Sequence, residues 1–181
     1  RPFHRLNLPI DVVDIQKSWD GYKVLVVPVM QLMDEGLAKR LKAFANNGGS
    51  VLLSFRSAIK DRDNNLVFGE KAPAYLNDFV GATVKTYEAL AEGKTVDIQD
   101  LNGQIVGTGG VWRDLLEPLD AVSLFNYGVP YEAYSACTVN TYGAGQVYYV
   151  ATGLEDQLMD QVAYAIVEIS GLEAIQSPEG V

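Results

Sequence analysis

The feature that most constrains the fold of this chain is a helical segment between two apolar runs. The runs, residues 22–29 and 50–55, are dominated by valine and leucine and have no continuous polar face. Such runs are typical of strands buried on both faces of a parallel sheet. Between them, Asp34 is placed to cap a helix whose apolar positions recur at helical spacing up to Phe44, and a Gly-Gly pair at 48–49 ends it. The order predicts a β–α–β crossover in the centre of a parallel sheet.

The second half of the chain changes to short alternating stretches separated by turn residues. The pairs Glu92-Gly93 and Asn102-Gly103 lie between such stretches, and dipeptides of this kind between strands are a strong hairpin signal. Residues 134–142 and 146–150 predict a further hairpin around a Gly-Ala-Gly turn. We therefore expect antiparallel strands appended to the parallel core.

Local signals predict three further elements. Residues 12–15 favour a short strand, and Pro73 is placed to begin a short helix that Gly81 ends. A capping-box pattern at residues 152–155 introduces a last helix, closed by Gly171. Because 181 residues with 48% apolar content suit one core, we expect a single α/β domain over residues 1–181.

The composition excludes several function classes. Fourteen basic residues against 23 acidic ones leave a net charge of −9, which argues against nucleic acid and against an anionic membrane surface as partners. The longest apolar stretch, residues 24–30, is far shorter than the roughly 20 residues of a membrane span. One cysteine, Cys137, and one histidine, His4, exclude an internal disulfide and a Cys/His metal cluster. We expect no bound metal and no cofactor.

Two loop motifs are similar in part to ligand sites. Residues 61–65 begin like a calcium loop, but the sixth and twelfth positions are Leu66 and Ala72 instead of glycine and glutamate. Glycines at 107–110 lack the strand-to-helix context and the spacing of a dinucleotide loop. We interpret both as turns, and Cys137, which lies in an alternating segment, as structural.

Carboxylates leave one enzymatic alternative open. A glycosidase needs two of them at a fixed separation, and Glu117 with Asp120 or Glu155 with Asp156 are pairs close in sequence. A loop and the first turn of a helix explain these pairs more simply. An enzyme that uses a carboxylate pair nevertheless remains an alternative hypothesis.

Aromatic residues beside turns are candidates for a contact surface. Trp112, Phe125 and Tyr127 flank turn-like segments and are bulky for ordinary loops, and aromatic side chains outside a core mark interfaces. The alternative is that these residues pack into the core of their own domain.

Arg56 is a candidate site residue because it directly follows a buried strand. Ligand and contact sites of α/β sheets usually lie at this carboxyl end. We predict a charge-assisted pair between Arg56 and Asp61 or Asp63 of the following loop, which would shape the loop for a neighbouring domain or subunit. The alternative is a solvated loop arginine.

Four segments together carry a family resemblance. They are residues 10–13 (IDVV), 21–28 (GYKVLVVP), 48–57 (GGSVLLSFRS) and 142–152 (YGAGQVYYVAT). In this order and spacing, they resemble the middle domain of glycoside hydrolase family 42 β-galactosidases, which is called the trimerisation domain. The resemblance runs across nearly the whole chain.

The resemblance implies a fold similar to class I glutamine amidotransferases: a flavodoxin-like parallel sheet flanked by helices, here with added antiparallel hairpins. The cysteine nucleophile of amidotransferases lies directly after the strand that matches residues 50–55, where this chain has Arg56. Their histidine follows the late strand, where this chain has Ala151 and Thr152. Both catalytic positions are empty, so we assign no catalytic residue.

The resemblance also implies a role in assembly. The catalytic glutamates of the family lie in a barrel domain that would precede this chain and bind the galactoside. The implied parent is a cytoplasmic homotrimer that hydrolyses terminal β-D-galactosides with retention, with Trp112, Phe125, Tyr127 and Arg56 as candidate interface residues of this domain. A free-standing amidotransferase-like domain that binds a small molecule is the main alternative.

The resemblance implies, finally, that a strand and a helix precede residues 1–8. Without that strand, residues 24–29 or 12–15 would have an unpaired edge, and exposed edges invite pairing with other chains. We therefore expect that the chain is excised from a longer polypeptide and lacks a core element.

Overall fold

The computed structural model describes residues 2–173, in which four helices accompany one sheet of nine strands. The elements, in chain order, are α1 (Pro2–Arg5), β1 (Val24–Val27), α2 (Glu35–Asn46), β2 (Ser50–Ser54), α3 (Asn77–Val80), β3 (Ala82–Ala89), β4 (Thr95–Gln99), β5 (Ile105–Pro118), β6 (Val122–Tyr127), β7 (Ser135–Tyr142), β8 (Gly145–Val150), β9 (Thr152–Leu154) and α4 (Asp156–Ile169).

The parallel part of the sheet contains the predicted β–α–β unit. Strand β1 pairs in parallel with β2, which in turn pairs in parallel with β8. The Asp34 side chain caps α2 by accepting a hydrogen bond from the backbone N–H of Leu37 at 2.7 Å. Val51 and Leu53 of β2 are fully buried, as is Leu41 of α2. The apolar runs and the cap therefore predicted this unit correctly.

The first apolar run does not lie where the sequence placed it. Strand β1 covers four residues and is the last strand at one edge of the sheet, so Val26 is 48% exposed. Residues 12–15 form no strand, and Val12 is fully exposed. The strand predicted at residues 12–15 was wrong, and β1 is not central in the described chain, although an unpaired edge at residues 24–29 was expected from the resemblance. Valine content reports β propensity, whereas the position of a strand depends on which neighbours pair with it.

One edge of β1 is unpaired within the described residues. The additional strand that the resemblance implies stays a prediction. A polypeptide extended upstream by about 40 residues, the size of a β–α–β unit, is expected to melt at a higher temperature than this chain. Equal melting temperatures in calorimetry would contradict it.

The antiparallel part of the sheet is organised around the long strand β5. Strand β4 pairs with its first half and β3 with its second half. The hairpin at Asn102-Gly103 is confirmed, and so is the later hairpin, in which β7 pairs with β8. The turn at Glu92-Gly93 does not form a hairpin, because β3 and β4 both pair with β5 and not with each other.

Two helix starts differ from the prediction. Helix α3 begins at Asn77, four residues after Pro73, although Gly81 ends it in the left-handed conformation as expected. Helix α4 has no capping box, since Thr152 belongs to β9 and Glu155 makes no side-chain cap. The Glu155 carboxylate instead accepts hydrogen bonds from the backbone N–H and the hydroxyl of Thr108. A tertiary contact therefore replaces the local one.

The architecture is α/β with a mixed sheet. Leu158, Val162 and Ile166 of α4 are buried, as their helical spacing predicts. None of the described helices combines the length and the apolar character that a membrane crossing requires.

Candidate functional site

Arg56 occupies a sharp turn directly after β2. Its backbone adopts the left-handed conformation, with φ at 61°, which is uncommon for a residue with a side chain. The next residue, Ser57, is buried and donates its hydroxyl hydrogen to the Ser54 carbonyl. The turn therefore holds Arg56 at the carboxyl end of the parallel strands.

The predicted pairing of Arg56 with Asp61 or Asp63 is wrong. The Asp61 carboxylate accepts hydrogen bonds from the backbone N–H groups of Asp63 and Asn65 and so closes its own loop. Within residues 2–173, no ion pair joins the Arg56 guanidinium to a carboxylate. Instead, Cζ of the Arg56 guanidinium lies 4.4 Å from the centre of the Trp112 ring. Because the Asp61 carboxylate already accepts hydrogen bonds from backbone N–H groups of its own loop, it does not pair with the arginine.

A buried carboxylate, Asp114, holds this region together. One of its oxygens accepts a hydrogen bond from Trp112 Nε1 at 2.7 Å. The other accepts from the Arg56 backbone N–H at 3.1 Å and from the Tyr149 hydroxyl at 2.8 Å. Asp114 is 2% exposed and so links the turn after β2 to strands β5 and β8. The sequence motifs did not indicate Asp114. The only signal was that two leucines follow it directly, which is unusual beside a solvent-exposed aspartate.

Burial raises the pKa of the Asp114 carboxyl above its ordinary value, because desolvation disfavours the charged form. The hydrogen bonds from Trp112, Tyr149 and the Arg56 backbone oppose this rise, as does the charge of Arg56. Burial also raises the pKa of Tyr149 well above that of a free tyrosine, so the phenol stays a donor. The cluster is thus a charged acceptor enclosed by neutral donors.

The Asp114 titration gives a testable pH dependence. The unfolded chain has an ordinary aspartate pKa of about 3.9, whereas the folded value is higher. Between these values the folded state binds more protons, so the contribution of Asp114 to the free energy of unfolding increases as the pH falls from neutral. Asp114→Asn lacks this increase. We expect the stability difference, wild type minus variant, to grow in urea unfolding between about pH 7 and about pH 4; parallel curves would contradict it.

Trp112 contributes to a surface of aromatic and aliphatic groups. Its ring stacks on Tyr87 at 5.3 Å between centres with 18° between planes. Trp112 is half-buried and Tyr87 is 57% exposed. The neighbouring Val111 is 72% exposed and has φ at 71°, an unfavourable backbone conformation for a β-branched residue. We call Arg56, Tyr87 and Trp112 the aromatic platform.

The other two candidate aromatics belong to the core. Tyr127 is 1% exposed, and its hydroxyl lies within hydrogen-bond distance of the Asp114 and Ala151 carbonyls. Phe125 is buried on β6. The core alternative therefore describes both side chains, and neither is presented on the surface. Tyr127 looked like a loop aromatic because β6 is short and ends beside a turn.

The glutamates of the two candidate carboxylate pairs make contacts within the domain. Glu117 lies between the ammonium groups of Lys71 and Lys85, at 3.6 and 3.4 Å. Glu155 is bound by Thr108, as described. Among the described residues, no three His, Cys, Asp or Glu side chains are grouped to hold a metal ion. Complete burial raises the pKa of Cys137 to about 12, in keeping with a structural thiol.

Comparison with known proteins identifies the relatives of this chain. A family model described as the β-galactosidase trimerisation domain matches residues 1–173. The β-galactosidase BglY of Alicyclobacillus acidocaldarius is 37% identical over 186 residues, which cover 98% of this chain and 27% of that protein. The β-galactosidase Bga of Halorubrum lacusprofundi is 32% identical over 188 residues, covering 97% and 27% respectively. The chain thus spans about a quarter of these curated relatives.

Solved structures agree with the sequence relatives. The crystal structure of β-galactosidase from Bacillus circulans sp. alkalophilus matches with a TM-score of 0.90 and 26% identity, over 98% of this chain and 27% of that one. The β-galactosidase of Halorubrum lacusprofundi matches with a TM-score of 0.83 and 32% identity, over 94% and 25%. The family model and these matches favour an assembly domain over a free-standing binding domain. The chain therefore belongs to the β-galactosidase trimerisation domain family.

Proposed function

We propose that this chain is the non-catalytic oligomerisation domain of a homotrimeric β-galactosidase. The complete protein hydrolyses terminal β-D-galactosides with retention, and its galactoside is bound by a barrel domain outside this chain. The observation that carries the proposal is the match of residues 1–173 to the trimerisation domain family. The cytoplasm is the proposed location.

We propose further that the parallel strands form an amidotransferase-like core that has lost its chemistry. Strands β1, β2 and β8 run in parallel, and the turn after β2 keeps a left-handed residue where a nucleophile would be presented. That residue is Arg56, whose guanidinium has no nucleophilic character. The role that we propose for this turn is therefore contact.

Two measurements test the proposal. Light scattering on the complete protein is expected to give the mass of a trimer, and the complete protein is expected to release galactose from a chromogenic β-galactoside. Residues 1–181 alone are expected to show no turnover of that substrate. A monomeric complete protein, or galactoside hydrolysis by residues 1–181, would overturn the assignment.

A further inference from the structure

The aromatic platform has three independent properties of a docking surface. It exposes the ring of Tyr87. Arg56 and Val111, the neighbour of Trp112, hold left-handed backbone conformations, and such strain is concentrated at functional sites. The Arg56 guanidinium has no carboxylate partner in the described chain, and its Nε atom is buried without a hydrogen bond. The platform therefore offers a guanidinium beside an aromatic surface, and the nearby counter-charge is the buried Asp114 carboxylate.

A second exposed surface lies at the other end of the parallel strands. Residues 10–15, which we call the acidic loop, present the side chains of Ile10, Val12 and Ile15 to solvent. The loop also contains Asp11 and Asp14 and no basic residue. Three large aliphatic groups exposed within six residues are unusual for a surface loop, and exposed apolar patches mark interaction sites.

The acidic loop is held in a defined shape. The Arg40 guanidinium of α2 donates to the backbone carbonyls of Ile15 and Lys17, and it also lies 4.1 Å from the centre of the Trp19 ring. The Tyr22 hydroxyl donates to the Asp11 carboxylate at 3.0 Å. A loop that is already ordered loses little conformational entropy when it binds.

The two surfaces lie at opposite ends of β2. Residue 23 is beside the start of that strand, where its carbonyl accepts a hydrogen bond from the Ser50 N–H at 2.9 Å. The strand ends at Ser54, about 13 Å further on at the usual rise per residue, and Arg56 follows two residues later. Tyr22, which precedes residue 23, donates to Asp11, so the acidic loop lies towards the start of the strand and the platform towards its end. We infer that the loop of one copy meets the platform of another.

We infer that the aromatic platform of one copy receives the acidic loop of a second copy of this chain. The inference rests on the proposed homotrimer. Aliphatic side chains of the loop pack on Trp112 and Tyr87, and a loop carboxylate pairs with Arg56. A contact between two different patches is heterologous, and three such contacts close a ring. In a chain with a net charge of −9, pairing an acidic loop with a cation removes part of the repulsion between copies.

Disulfide trapping tests this contact in the complete protein. Val12→Cys and Tyr87→Cys are introduced into the same chain and the protein is oxidised. Because a disulfide requires Cα atoms within about 7 Å and the two positions lie towards opposite ends of β2, we expect a bridge only between copies. We expect covalent dimers and trimers on a non-reducing gel. Within the described residues, the native Cys137 is fully buried and does not compete.

The matched control pairs Val12→Cys with Leu101→Cys, since Leu101 is as exposed as Tyr87 but lies at the tip of the β4–β5 hairpin. Covalent oligomers no more abundant than in this control would overturn the inference. If light scattering still gives a trimer, only the loop–platform contact fails. If the complete protein is a monomer before oxidation, the proposed function fails with it.

A charge reversal tests the role of Arg56. Adding Arg56→Glu to the Val12→Cys/Tyr87→Cys protein is expected to lower the yield of covalent oligomer several-fold, because the loop then faces a like charge. Lys39→Glu, an equal charge change on the exposed face of α2, is expected to leave the yield unchanged. An equal yield in all three proteins would overturn the ion pair.

Discussion

Trp112→Ala in the complete protein is expected to convert trimers into folded monomers. Trp112 is the centre of the aromatic platform, where it contacts both Tyr87 and Arg56. Removing a true interface anchor costs about 2 kcal/mol or more of association free energy, roughly a 30-fold weaker association. Light scattering over a dilution series is expected to show the monomer at concentrations where the wild type is trimeric.

Two further variants separate an interface effect from a folding effect. Trp112→Phe keeps a ring on Tyr87 but loses the Nε1 donor to Asp114, so it is expected to lower the melting temperature while the trimer persists. Tyr164→Ala removes an exposed aromatic of α4 and is expected to change neither quantity. Trp112 is not an interface anchor if the alanine variant stays trimeric on dilution or loses its circular dichroism.

Gly145→Ala is expected to destabilise the domain by about 3 kcal/mol, the cost of severe overpacking. A Cβ at Gly145 would lie far inside van der Waals contact of the Gly49 and Ala45 carbonyl oxygens. These are backbone atoms at the end of α2, so relief requires that the helix move away from β8. For a domain of this size, we expect a melting temperature lower by roughly 6–12 °C in calorimetry.

Gly110→Ala is the matched control for this steric argument. Gly110 also lacks a positive φ, but its added Cβ would meet only the Lys94 carbonyl oxygen, at an ordinary 3.6 Å. We expect a change within about 0.5 kcal/mol. Similar melting temperatures for the two alanine variants would show that α2 does not pack on Gly145 as closely as described.

Asp114 illustrates how a site is assembled beyond the reach of sequence patterns. Its three donors come from Trp112, from the Arg56 backbone and from Tyr149, which lie on different elements of the fold. Alternation in a strand indicates which face a residue occupies, but it does not identify the groups on neighbouring strands. The sequence therefore indicated Arg56 and Trp112 separately, without the carboxylate that joins them.

The sequence by itself determined the elements whose signals are local. The Asp34 cap, the Asn102-Gly103 hairpin and the apolar stripe of α4 act on residues a few positions away, so their prediction required no knowledge of distant contacts. Of the four segments that carried the family resemblance, residues 48–57 and 142–152 also belong to regular elements and their turns, whereas residues 10–13 do not.

Only the tertiary structure decided which strands became neighbours and which aromatic side chains became buried. β1 lies at the edge, β5 pairs with both β3 and β4, and Tyr127 enters the core. These outcomes depend on pairings between residues far apart in the chain. The free energy of such a pairing depends on the surface of the partner strand. The propensity and periodicity of a single segment carry no information about that surface.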